Sequence, residues 1–393
     1  MNDNHYKLDS MNVCRICGSM LGHPMYSSSG PSITSVRTVL DVPLALYLCP
    51  QCHHAQKAAL LDTSDYYDSE YRISLQSDDF DQLYDLINGK SIYRTDYQAE
   101  LVLKSTNIPA GSSILDYGAG KASTLNKIAT ARPDLVPYAF DVSEDYRDSW
   151  CTFLLQERQA TYRIPESWDR LFSLVMAHFV LEHAEDPCGF FSNISKLLAP
   201  DGMLFFSVPN LISNPGDLLA IDHINHFSIS SIHAALKKTG MSLVSVDKDV
   251  FRGAIVCVAK RNNAAPEISF NEQPGYENEI KGIANFWTEY DNRLELAVAQ
   301  YPDLPAAIFG AGVYGSFIAS KIGNRAVLKC FLDNSLHLAN STHMELPVIP
   351  PSNISGDIQI IYSGLNPAIA RAVLEPLRTD KIKEIVYFDE GVL

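Results

Sequence analysis

Ser113-Ile114-Leu115-Asp116-Tyr117-Gly118-Ala119-Gly120 is an apolar run that ends in an acid and two glycines. A helical run follows from Ser123, so the segment reads as a strand, a tight turn and a helix N-terminus, where ligands meet backbone N–H groups. The glycines permit close backbone approach. Asp116 stands just before them. A pyrophosphate would be repelled by an acid there, whereas a cationic or zwitterionic ligand is favoured. A second turn, Ala307-Ile308-Phe309-Gly310-Ala311-Gly312-Val313-Tyr314-Gly315, has no such acid. The two turns therefore select different ligands.

Outward from Ser113 the pattern alternates. Ile114–Tyr117, Tyr138–Asp141, Leu171–Met176, Met203–Val208, Leu243–Val246 and Ala254–Ala259 read as strands, with helical runs such as Ser123–Thr130 and Gly189–Leu198 between most of them. This predicts a mostly parallel sheet covered on both faces, with an antiparallel last pair. Asp141 ends the second strand, where an acid accepts ribose hydroxyls. Met176-Ala177-His178-Phe179-Val180-Leu181-Glu182-His183 ends the fourth strand and predicts a helix after it. Together, Asp116-x-Gly118-x-Gly120, Asp141 and Leu181-Glu182-His183 resemble the class I S-adenosylmethionine-dependent methyltransferases over Ser112 to Lys260. Ser173 stands where that family usually has an acid. The resemblance implies S-adenosylmethionine as cofactor, held by Asp116, Gly118, Gly120 and Asp141.

The chain has 393 residues and a formal charge of −15, which disfavours nucleic acid and anionic membranes as partners. No apolar stretch approaches the ~20 residues needed to cross a bilayer, and Met1-Asn2-Asp3-Asn4-His5 has no signal-peptide pattern, so a cytoplasmic location is expected. Thiols or metal ligands are then the expected state of the eight cysteines. Cys14-x-x-Cys17 and Cys49-x-x-Cys52 have the spacing of a closed four-thiolate zinc site with a structural role. Cys151, Cys188, Cys257 and Cys330 lie in apolar surroundings and read as buried thiols.

Asp222-His223-Ile224-Asn225-His226-Phe227-Ser228 follows the fifth strand, facing the ligand crevice. Histidine titrates near neutrality, so His226 is the candidate general base, with His183 and His223 as polar contacts to an acceptor. The order of zinc knuckle, Tyr-rich segment, methyltransferase core and C-terminal Rossmann-like domain resembles the sugar C-methyltransferases of deoxysugar biosynthesis, over the whole chain. Their active-site loop reads Tyr-x-Glu-His-Phe/Leu-Ser. His226 matches its histidine, whereas His223 and Asn225 replace the tyrosine and glutamate. The resemblance also implies a histidine after the fourth strand, matched by His183, and a tyrosine before the core, for which Tyr71 is the nearest candidate. Phe251-Arg252-Gly253 stands where that family has a Gly-Gly-Ser turn. The acceptor implied is a nucleotide-linked sugar or another saccharide precursor, methylated at carbon or oxygen.

The expected architecture is α/β: a zinc-binding domain at 1–62, a helical Tyr-rich connection at 63–110, a class I methyltransferase Rossmann-like core at 111–262, a linker and helix at 263–303, and a Rossmann-like α/β domain at 304–393. Short strands are expected at Ser35–Leu40 and Leu44–Leu48. A helical run is expected from Asp78, with Phe80, Leu83, Leu86 and Ile87 on one face, and another from Tyr97 to Ser105. Gly310-x-Gly312-x-x-Gly315 with Asp333 at the next strand end fits a nicotinamide-dinucleotide fingerprint. Two other readings thus stand beside methyl transfer: an oxidoreductase using this turn, and a non-catalytic zinc-dependent binding module.

Overall fold

Seven strands form the central sheet in the computed structural model, which describes residues 12–59, 81–87, 90–261, 275–335 and 338–388. Across the sheet they run 159–161, 136–141, 113–117, 172–178, 198–209, 254–261 and 241–247. In chain order this is 3-2-1-4-5-7-6. Ala254–Arg261 is antiparallel to both of its neighbours and the other pairings are parallel. That is the class I methyltransferase variant of the Rossmann-like sheet. The short third strand, Gln159–Thr161, has no alternating pattern long enough to read from sequence.

Strand alternation sorts the core onto two faces. Leu115, Val175 and Phe206 point to one side, against Phe191, Ile194 and Leu236 of the helices Pro187–Leu197 and Ile229–Lys238. Ile114, Met176 and Phe205 point to the other, against Leu125 and Ile128 of the helix Ser123–Ala131 and against Trp150. Each such side chain contributes ~1.5–3 kcal/mol on burial.

At the N-terminal end, Tyr26–Ser28, Leu44–Leu48 and Ala55–Gln56 form an antiparallel sheet. Its fourth strand comes from far along the chain: Asn225–His226 pairs with Ala55–Gln56, with Asn225 opposite Gln56 and His226 opposite Ala55. The expected strand Ser35–Leu40 is instead a hairpin of Ser32–Ile33 and Val39–Leu40. A second correction falls just before the central sheet. Leu83–Ile87 pairs with Lys90–Tyr93 as a hairpin, not a helix. The signal for it was in the sequence as Asn88-Gly89, the favoured two-residue hairpin dipeptide, which outweighs a loose helical spacing of apolar residues. The following helix, Arg94–Ser105, is as expected but starts earlier.

The helix Tyr276–Gln300 buries Ile280, Ile283, Ala284, Trp287, Tyr290 and Leu294, a 3–4 spacing that marks one apolar face. It leads to a second α/β domain with a six-stranded sheet, ordered 342–343, 346–349, 327–332, 305–309, 360–363 and 384–386. One apolar cluster joins the two ends of the chain. It runs from Ile33, Leu44 and Leu46 through Leu218, Leu219 and Ile221 to Trp287, Ile308, Phe331 and Ile360. The segment after the fifth central strand is therefore clamped between the N-terminal sheet and the C-terminal domain. Among the described residues, no helix is long and apolar enough to cross a membrane. Cys257 and Cys330 are buried as expected, but Cys151 is exposed and Cys188 half-buried, because both lie on outer helices.

Candidate active site

The first glycine turn is tied down by its own backbone. Gly118 and Ala119 N–H donate to the Phe140 carbonyl at 2.8 and 3.0 Å. Gly118 has φ +75°, and a Cβ there would lie 2.5 Å from Val180 Cγ2, so only glycine fits. Gly120 N–H donates to Asp141 Oδ2 at 2.8 Å, Ser143 N–H donates to Asp141 Oδ1 at 3.2 Å, and Trp150 Nε1–H donates to the Gly120 carbonyl at 2.6 Å. A carboxylate offers about four acceptor directions, so Asp141 retains capacity for ribose hydroxyls. Asp116 is buried at the end of its strand; that burial, then the charge of Asp141, pushes its carboxyl up to about 8. Two buried acids at one turn form a site that a cation relieves.

The second constellation lies in the segment after Leu198–Pro209. Its backbone is gripped from the N-terminal sheet. Ile221 N–H donates to the Ile33 carbonyl at 2.7 Å and Lys57 N–H to the Ile224 carbonyl at 2.9 Å. Ser35 donates through N–H and Oγ to the two oxygens of Asp222, each at 2.6 Å. Lys57, fully buried, sends its Nζ to the carbonyls of Leu218, at 2.9 Å, and Ala220. Desolvation brings its ammonium down to about 7, against the opposing pull of Asp217 and Asp222. From the other side, Trp287 Nε1–H donates to the Pro215 carbonyl at 2.9 Å. Tyr314 covers Gly216, where a Cβ would fall 2.6 Å from its ring.

Within this clamp three histidines take different states. His223 Nδ1 donates to Asp217 Oδ1 at 2.7 Å. Burial alone would lower its pKa, but the Asp217 carboxylate and that hydrogen bond outweigh it and raise it to about 9. Burial likewise opposes ionisation of Asp217, yet the His223 charge and its hydrogen bond, with His226 close by, hold it well below the usual carboxylate range. His183 Nδ1 donates to the Asp222 carbonyl at 3.0 Å, and desolvation, then the His223 charge, lowers it to about 4. The His183 and His223 rings stand edge to face, 4.8 Å apart. Their side chains retain 11% and 14% exposure, so each keeps an edge open to solvent.

His226, the expected base, is different. Its side chain has 0% exposure, and Nδ1 lies 3.1 Å from Asp217 Oδ2 without hydrogen-bond alignment. Desolvation and the Lys57 charge lower it to about 4. It is wedged behind His223 because its strand pairs with Ala55–Gln56. Asn225, standing where the resembling family has glutamate, is a backbone clamp. It accepts from His54 Nε2 at 3.1 Å and donates to the carbonyls of Leu181, at 3.2 Å, and Ala184, at 2.7 Å. It thereby fixes the Leu181–His183 turn, which is a single short turn before the helix at Pro187. Phe251 is buried against Tyr84 and Tyr97. Tyr71 lies outside the described residues.

Sequence reasoning missed Lys57, Asp217, His54 and Glu182. Pro215-Gly216-Asp217, a turn followed by an acid near the histidine motif, was a usable signal for Asp217. Lys57 had none, since its partners are carbonyls of a distant segment.

The four knuckle cysteines converge. Cys14 and Cys52 Sγ are 3.5 Å apart, Cys17 and Cys49 Sγ are 3.4 Å apart, and all four lie within 4.8 Å of one another. Sulfurs at ~2.3 Å from a tetrahedral zinc are about 3.8 Å apart, so the set fits such an ion. Gln51 N–H also donates to Cys49 Sγ at 3.4 Å. The residue after each pair is left-handed, Gly18 at φ +79° and His53 at φ +56°, which closes each knuckle. In the second glycine turn, Ala311 N–H donates to Asp333 Oδ2 at 2.9 Å and Arg37 Nη1 to the Ala311 carbonyl at 2.8 Å. A Cβ on Gly315 would sit 1.8 Å from the Gly310 carbonyl oxygen.

Comparison with known proteins agrees with the central sheet. Residues 91–246 match the methyltransferase-domain family. A C-methyltransferase of Streptomyces niveus, NovU, is 32% identical over 103 residues, 25% of this chain and 24% of that protein. The chain thus spans about a quarter of the length of that curated relative. Among solved structures, an S-adenosylmethionine-dependent methyltransferase from Mesorhizobium loti aligns with 15% identity and a TM-score of 0.35, covering 42% of this chain and 98% of the other. The dimethyltransferase RosA from Streptomyces davawensis aligns with 21% identity and a TM-score of 0.35, covering 42% and 54%. The sheet order and the family match establish that this chain carries a methyltransferase domain of class I Rossmann-like fold.

Proposed function

We propose that the chain is an S-adenosylmethionine-dependent methyltransferase that adds a methyl group to carbon beside a carbonyl in a nucleotide-linked sugar. One observation carries the reading. The acid-lined turn at Asp116 and Asp141 lies at C-terminal strand ends of the central sheet, and His183 and His223 sit on the segments that leave two further parallel strands at their C-terminal ends, the side where ligands bind in such folds. Neighbouring groups pushed to opposite protonation states mark an acid–base pair. At neutral pH His223 is a cation and His183 is neutral. His183 uses Nδ1–H toward the Asp222 carbonyl, so Nε2 carries the lone pair.

His183 Nε2 takes the proton from the carbon, and the electron pair moves into an enolate whose oxygen is held by the His223 cation. The carbon attacks the sulfonium methyl in line, the sulfur–carbon bond breaks onto sulfur, and S-adenosylhomocysteine leaves neutral at sulfur. His226 and Lys57 act through Asp217 as positioning residues. Cys14, Cys17, Cys49 and Cys52 would hold a zinc ion that braces the knuckle preceding the Ala55–Gln56 strand, which pairs with Asn225–His226. The Streptomyces niveus relative is a C-methyltransferase, which is in line with a carbon acceptor.

The test is a panel of nucleotide-linked keto sugars incubated with the protein and S-adenosylmethionine. Mass spectrometry should find one added methyl group, stable to base, with one S-adenosylhomocysteine formed per turnover. With S-adenosylhomocysteine in place of the donor, the carbon-bound proton beside the ketone should exchange with deuterated water. Methylation at oxygen, or no exchange with an acceptor that is methylated, would refute the carbon assignment.

A further inference from the structure

Glu182 is fully buried, and among the described residues neither of its carboxylate oxygens meets a hydrogen-bond partner. Such an orphaned carboxyl is costly to bury and calls for a missing ion or water. Its neighbours suggest which. One ligand atom each from Glu182, His183 and His223 lie within 4.8 Å of one another. Both imidazoles are braced from behind through Nδ1, His223 by the Asp217 carboxylate at 2.7 Å and His183 by the Asp222 carbonyl at 3.0 Å. Bracing of this kind fixes the tautomer and ring direction of metal-binding histidines.

We infer that Glu182, His183 and His223 form a second divalent-cation site, separate from the four cysteines. Two imidazoles and one carboxylate, once the ion displaces the protons of His223 and Glu182, suit a transition ion of the zinc, cobalt, iron or manganese class, whereas magnesium and calcium demand oxygen ligands. Three protein ligands leave coordination positions open to other ligands. Ligands at ~2.1 Å from one ion stand roughly 3–3.5 Å apart, a spacing within the 4.8 Å limit that the three groups already meet. The functional consequence rests on the methyl-transfer reading, although the binding does not. An ion held by His183 takes the nitrogen that receives the proton, so loading the site slows methyl transfer.

The experiment uses full-length protein that retains its cysteine-bound metal after dialysis against a weak chelator, titrated with Co2+. A second equivalent should bind, with ligand-field absorption but without the sulfur-to-cobalt charge transfer that cysteine ligation produces. X-ray absorption of that cobalt should show a nitrogen and oxygen shell with imidazole scattering. Mg2+ should not compete. Glu182→Gln and His183→Gln should each weaken Co2+ binding at least about tenfold, and Asp217→Asn, acting through His223, by ~10–100-fold. S-adenosylhomocysteine binding and the cysteine-bound metal should be retained in each, which reports an intact fold. A stoichiometry that stays at the cysteine site alone, or a sulfur-containing shell for the second cobalt, would overturn the inference. So would a second equivalent undiminished in the Glu182 and His183 variants. Those outcomes leave the methyl-transfer assay untouched, and failure of that assay leaves the metal count standing.

Discussion

Asp116 should make cofactor affinity depend on pH, and Asp116→Asn should remove that part of the dependence. Burial, then the Asp141 charge, raises the Asp116 carboxyl from an ordinary 3.8 to about 8. Its ionisation in the ligand-free protein is therefore opposed by on the order of 6 kcal/mol. The folded state holds the extra proton between those two values, so the ligand-free protein loses stability from this group as pH rises from 3.8 to about 8. A cationic cofactor binds the ionised form. If it binds only that form, apparent affinity should strengthen about fifty-fold between pH 6 and pH 8, or about 2.3 kcal/mol. Asparagine imitates the protonated acid. The variant should bind more weakly than the natural protein, by a ratio that grows about fifty-fold from pH 6 to pH 8. The cofactor's own amino group titrates at ~7.7–8.0, so the readout is the ratio of the two dissociation constants at each pH. Isothermal titration with S-adenosylhomocysteine measures it. A ratio that stays constant from pH 6 to 8 would refute both the burial argument and the placement of the cofactor's positive charge at Asp116.

Asp141→Ala should weaken S-adenosylhomocysteine binding roughly 10- to 100-fold, the loss of ~1.5–3 kcal/mol for hydrogen bonds to a charged acceptor; an unchanged constant in the same titration would show that the ribose lies elsewhere. His183→Ala should lower turnover by ~10²–10⁴ with S-adenosylhomocysteine affinity intact, whereas His226→Ala, behind Asp217, should cost less activity and show up chiefly as a lower unfolding midpoint. Cys49→Ser should remove about one equivalent of zinc by metal analysis and lower thermal stability and turnover together, because the knuckle supports the strand that pairs with His226; full activity without metal would sever that link.

Much of the fold was legible in local pattern. The apolar runs of the central sheet, the acid at Asp116, the paired cysteines and the helix ending at Gln300 each follow from spacing within a few turns of chain. Errors arose where two local signals competed, as at Leu83–Ile87, or where no pattern was long enough, as at Gln159–Thr161. The role of a histidine was another matter. Sequence placed His183, His223 and His226 after parallel strands and could rank them only by resemblance. Tertiary structure separates them, because a side chain's protonation depends on groups brought to it across the fold. Asp217 charges His223, the Asp222 carbonyl fixes the His183 tautomer, and strand pairing with Ala55–Gln56 buries His226. Lys57 lies 161 residues from the Leu218 carbonyl it binds, a separation over which no periodicity reports contact. The chain by itself therefore determined which chemistry is available, since residue types and local spacing carry that. Only the folded structure decided which histidine keeps access to solvent, since burial and charge at one point are sums over distant segments.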